Sequence, residues 1–211
     1  MRNPMRRSRK IGLTQGGRIR DGRASEKWSR IFTRDVWDQL SMESRHQGCR
    51  VFVENPSGDF YHPGRGHEFL SVLERLPTEF RQPVRAIILR RTPKLDFKLG
   101  IEARMRFRCV ILNSFPRSNE MVWKASPTQS VRRHYTRWCS RWIEKEVGAT
   151  LQWTSEEIRR YYLFHLFLHE VGHVNQPLFH DSGRREGFAE NFALEWAANF
   201  AELPMPCEAG D

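Results

Sequence analysis

Apolar and polar residues alternate along this chain in two rhythms, and the change from one to the other marks out its elements. Between Ser25 and Leu40, the residues Trp28, Ile31, Phe32, Val36, Trp37 and Leu40 recur every three or four positions. They share one stripe, which predicts an amphipathic helix docked on the rest of the domain. The middle third switches to short apolar runs bounded by turn residues: RVFVE at 50–54, DFY at 59–61, VRAIILR at 84–90 and FRCVILN at 107–113. Such runs predict strands of a sheet. Between the second and third runs, GHEFLSVLERLP places Phe69, Val72, Leu73 and Leu76 on one helical face before Pro77 ends it. The helical rhythm returns from Thr128 to Val147, where Val131, Tyr135, Trp138, Trp142 and Ile143 predict another helix.

The most complete start signal is Trp153-Thr154-Ser155-Glu156-Glu157-Ile158, with a threonine cap, a glutamate three residues on, and flanking apolar residues. A helix is expected from about Ser155 to just before Pro177. It is apolar on nearly every side through Tyr161, Tyr162, Leu163, Phe164, Leu166, Phe167 and Leu168, so it should run through the protein rather than along it. RREGFAENFALEWAANFAELPMP predicts a last helix ending before Pro204. Strands followed by helices give an α+β class.

Composition adds limits. A chain of 211 residues, 39% of them hydrophobic, is long enough for one self-sufficient core. That core is expected within residues 24–211. Residues 1–23 are rich in Arg and Gly without apolar periodicity and read as a disordered basic arm. The net charge of +10 is concentrated there: residues 1–34 hold eleven of the 35 Lys and Arg and only two of the 25 acids. Such an arm suits a nucleic acid or another acidic partner. Cys49, Cys109, Cys139 and Cys207 are too widely spaced for a zinc ribbon or a disulfide framework, and no apolar run reaches membrane-spanning length. A cytoplasmic protein is expected.

Against this background, His169-Glu170-Val171-Gly172-His173 stands out as an HExxH motif in the most apolar helix. Two imidazoles one turn apart share a face and can close on one zinc ion, with Glu170 beside them as general base toward a metal-activated water. Burying these polar groups in a core helix without a metal or partners would cost several kcal/mol. A third ligand must follow. Glu186 and Glu190 point within about 40° of each other on a helix, whereas Glu195 points about 180° from Glu186. Glu186 is the preferred ligand, because Glu190 one turn on can then accept the free N–H of a ligating histidine. In the alternative register Glu195 ligates and Asn199 takes the outer place. The Glu186 face also carries the small residues Ala189, Ala193 and Ala197, which let two helices approach closely. His180 lacks the spacing of the metzincin pattern. Asp181 can ligate but reads rather as a helix cap, and His165, one turn before His169, shares its face and can line the site but reads rather as a packing residue.

At these residues the chain resembles the gluzincin class of zinc metallopeptidases: His169, Glu170 and His173, then Glu186 with an acid, Glu190, four residues later. EGFAENFA is similar to the peptidase core of the anthrax-lethal-factor type, and AANFAELPMP to the ending of ImmA/IrrE-type peptidases, a register that favours Glu195. The resemblance covers about residues 154–206. It implies a zincin-like fold, with a twisted mixed sheet beside the active-site helix and a glutamate-bearing helix after it. It also implies hydrolysis of peptide bonds in a protein or peptide substrate. Lethal-factor-like enzymes steady the oxyanion with a tyrosine upstream of the glutamate ligand. Here Phe179 and His180 occupy that neighbourhood, so either His180 replaces the tyrosine as donor or the donor comes from elsewhere in the chain. A second expectation, from the basic arm, is a non-catalytic or regulatory metal-binding module that engages nucleic acid.

Overall fold

In the computed structural model, which describes residues 48–139, 141–177 and 181–200, the two most apolar runs form the middle of a four-stranded mixed sheet. The basic arm, the helix expected over 25–40 and His180 lie outside the described residues. The sheet order is β1-β3-β5-β4, with β1 (Arg50–Val53), β3 (Ala86–Arg90) and β5 (Cys109–Asn113) parallel and β4 (Ala103–Arg106) antiparallel at the edge. Every residue of β5 and all but the last of β3 are buried, which is why these runs are continuously apolar rather than alternating.

Alternate residues of the central strands, Ile87 and Leu89 of β3 with Val110 and Leu112 of β5, join the main core. Phe69, Val72 and Leu73 of α1 (Gly66–Glu74) join it too, as do Phe167, Leu168 and Val171. The Phe69 and Phe167 rings meet edge to face at 5.4 Å, tying α1 to the motif-bearing helix. Short elements fill the connections: β2 (Phe60–Tyr61) pairs with β6 (Phe115–Pro116), while α2 (Thr78–Arg81) and α3 (Lys94–Leu99) precede β3 and β4. The architecture is α+β, as the alternation of rhythms predicts.

One expected helix is corrected. α4 spans only Gln129–Thr136, capped by Thr128, and Trp142–Glu144 is strand β8. It pairs with β9 (Ala149–Gln152), which pairs in turn with β7 (Glu120–Trp123) to make a separate antiparallel sheet. Trp142 and Ile143 match the helical period, but Gly148 at φ 86° turns the chain back into β9. There Trp142 packs against Trp123, with ring centroids 5.1 Å apart. Tertiary packing overrides local periodicity at this point. β4, β7 and β9, together with α3, are elements the apolar pattern does not announce.

The long helix starts where its cap predicts. The Thr154 side chain accepts from the Glu157 N–H, and the Glu157 carboxylate accepts from the Thr154 N–H. The rod then runs as α5 (Ser155–Tyr161), a π-helical turn (Tyr162–Leu166) and α6 (Phe167–Asn175). α7 (Ser182–Asn199) returns along α6, with Asp181 capping it through the Arg184 N–H. Among the described residues no helix is long and apolar enough to cross a membrane.

Candidate metal centre

The HExxH residues occupy the stretch of α6 that faces both α7 and the β4–β5 edge of the sheet. Gly172 makes the helix contact possible. A methyl group in its place would lie 2.9 Å from the Ala189 Cα and 3.2 Å from the Ala189 carbonyl oxygen. Ala189, Ala193 and Ala197 are all fully buried along the facing stripe of α7. With helices this close, residue 186 of α7 reaches the two histidines of α6.

Glu186 Oε2 lies 3.4 Å from His169 Nε2 and 3.5 Å from His173 Nε2. Four ligands about 2.0–2.1 Å from a tetrahedral zinc stand roughly 3.4 Å apart. The Glu186 oxygen therefore stands from each histidine nitrogen at about the distance between two corners of such a site, and the three residues offer ligand atoms within 4.8 Å of one another. Glu186 and Glu195 are both exposed, and among the described residues it is Glu186 that is gathered with the two histidines.

Outer contacts orient the imidazoles. His173 Nδ1 lies 3.0 Å from Gln176 Oε1, which leaves Nε2 to face Glu186. His169 Nδ1 lies 3.5 Å from Glu190 Oε2, within ion-pair distance but without a formed hydrogen bond. These are the placements expected of acceptors behind ligating histidines. Burial pushes the His169 imidazole down, but the carboxylates of Glu190, Glu170 and Glu186 outweigh it and hold the ring above its ordinary value. Burial likewise pushes the Glu190 carboxyl up, yet the imidazoles of His134, His169 and His165 hold it well below the usual carboxylate range.

Glu170 is 6% exposed, and one of its oxygens has no hydrogen-bond partner. Burial pushes its carboxyl up to about 7 and Glu186 adds to the rise, against the pull of His169, Arg104 and a hydrogen bond from the Met105 main chain of β4. An under-satisfied carboxylate poised near neutrality, between the histidines and an edge strand, is suited to exchanging protons with a bound reactant.

The structure thus brings together His169, Glu170, His173, Glu186 and Glu190, and Asp181 serves as a cap. His180 and Phe179 lie outside the described residues. Other members of the site carry no motif. Gln176 follows His173 at a spacing that puts it just past the helix end. His134 comes from α4 and Arg137 is the residue that caps its end, and His165, read rather as a packing residue, contacts Glu190 at 3.5 Å. The one available signal was the i, i+4 spacing of His165 and His169. No protein-family model, curated protein or solved structure matches the chain.

Proposed function

We propose that the chain is a zinc-dependent peptidase of gluzincin type with a zincin-like fold. The reading is supported by the 3.4 and 3.5 Å from Glu186 Oε2 to His169 Nε2 and His173 Nε2, distances suited to neighbouring ligands of a tetrahedral ion with one position left for a reactant. Those three residues would hold the ion. When bound, zinc supplies Lewis acidity that polarises a carbonyl and makes water acidic enough to attack it near neutral pH.

The remaining work falls to side chains and main chain. Glu170 takes a proton at its carboxylate and returns it to the leaving amine, a role suited to its burial. Glu190 and Gln176 keep the two imidazoles in the tautomer that leaves Nε2 free for the ion. β4 is the antiparallel edge strand beside Glu170, so an extended protein or peptide substrate can add to it as a further strand. His180 is the proposed oxyanion donor, on the resemblance alone. A cytoplasmic setting belongs to the same proposal.

The test joins metal content to cleavage. Purified protein should hold one zinc per chain and cut an unstructured protein substrate, and His169→Ala should lose both. Glu170→Gln should keep the zinc and lose cleavage by roughly 10²–10⁴-fold, the range of general acid–base catalysis. A Glu170→Gln protein with undiminished activity refutes the mechanism. A second reading, a non-catalytic metal module that binds nucleic acid, is favoured by the charge concentrated in residues 1–34.

A further inference from the structure

α4 has no part in the chemistry proposed above, yet it ends against the centre. Glu190 Oε1 lies 3.7 Å from His134 Nδ1 and 3.5 Å from Arg137 Nη1. Its Oε2 lies 3.5 Å from both His165 Nε2 and His169 Nδ1. One carboxylate on α7 therefore meets groups from α4, the π-helical turn and α6. His165 sits within that turn, a local widening often found at functional sites.

A buried support stands behind His134. Its Nε2 lies 3.5 Å from the Tyr161 hydroxyl, which donates to Glu102 Oε2 at 2.9 Å. The Tyr135 hydroxyl, from α4 itself, donates to the same oxygen at 3.0 Å. α4 is thereby fastened to the start of β4 and to the rod at once.

Two uses suit such a cluster. His134, His165 and Glu190 offer atoms within 4.8 Å of one another, so they could hold a second cation. The charges oppose that: the one carboxylate already faces the Arg137 guanidinium, and a divalent ion would leave the pocket strongly positive. A purely packing role does not account for three imidazoles converging on the carboxylate that backs a ligand.

We propose that α4 is the clamp of the metal centre: His134 and Arg137, with His165, fix the Glu190 carboxylate so that it aims the His169 ring. They are positioning residues, acting through Glu190. The inference rests on the zinc reading of the site.

The test is a double-mutant cycle on the full chain, with zinc affinity read by competition against a chromophoric chelator. Glu190→Ala should weaken zinc binding roughly 10–100-fold, and His134→Ala about tenfold, the low end for an outer contact. His134→Gln keeps an N–H donor and should stay within about threefold of the parent. In the Glu190→Ala background, His134→Ala should cost nothing further, because the path it acts through is gone. Thermal unfolding of the zinc-free proteins checks the fold. Should His134→Ala unfold, Arg137→Gln at a more exposed position runs the same cycle.

Losses that add in the double variant, or no loss in the single ones, overturn the clamp and leave the zinc site standing. Two zinc ions per parent chain, one of them lost in His134→Ala, overturn it in favour of a second cation. A parent chain that binds no zinc overturns the clamp and the proposed function together.

Discussion

Replacing Gly172 by alanine tests the joint between α6 and α7. In an isolated helix this change helps, by about 1 kcal/mol of helix propensity. Here the new methyl would stand 2.9 Å from the Ala189 Cα, where ordinary contact begins near 3.4 Å, and 3.2 Å from Phe192 Cβ. These are backbone and Cβ atoms of a packed helix, so relief requires α7 itself to move by about 0.5 Å. Overpacking of this kind costs about 1–3 kcal/mol, which leaves a net stability loss of about 0–2 kcal/mol after the propensity gain. The proposed metal centre should suffer more. Glu186 is one turn from Ala189 on the displaced helix, and it stands 3.4 and 3.5 Å from the histidine nitrogens. Metal–ligand distances tolerate only about ±0.2 Å, so a shift more than twice as large should detach Glu186 or distort its approach. The expected result is a modest fall in unfolding temperature for the zinc-free protein, with a fall in zinc affinity beyond the roughly 100-fold that loss of an outer contact can cause. Calorimetric unfolding without zinc and chelator competition with it measure the two separately. A Gly172→Ala protein that binds zinc as tightly as the parent would refute the close-packed joint as the basis of the site.

The choice of third ligand has a direct check: Glu186→Gln should lose zinc affinity by more than about 100-fold, while Glu195→Gln, on an exposed position, should leave it unchanged. Thr154→Ala removes the capping box of the rod and should destabilise the protein by about 1 kcal/mol, lowering its unfolding temperature by about 2–4 °C with zinc stoichiometry intact. If the charged start of the chain binds nucleic acid, affinity should fall steeply with salt, and removing residues 1–34 should abolish that dependence. Filter binding across a salt series measures it, and undiminished binding after deletion rejects that role.

Legibility followed the range of the forces involved. α1, β3, β5 and the Thr154-capped rod were readable because their signals are local, as apolar periods, a cap and a stopping proline. β4 was not, since ARMR alternates over only four residues with a single large apolar side chain, and it is a strand because β5 offers it an antiparallel partner. Trp142 and Ile143 carried a helical period that a hairpin overrode. At the site, the HExxH pair and the Glu186–Glu190 face follow from helical geometry alone. His134, Arg137 and Gln176 belong to no motif, and their contacts with Glu190 and His173 exist only in the folded chain.

By itself the sequence determined which side chains share a helical face: His169 with His173, and Glu186 with Glu190 and the alanine stripe. Those relations are set by about 100° of turn per residue and need no other part of the chain. Only the tertiary structure decided which face of α7 meets α6, and so separated Glu186 from Glu195. The physical reason is steric. Gly172 and the buried alanines allow the two helix backbones to come together along that stripe, and the carboxylate near the histidines is the one carried on it.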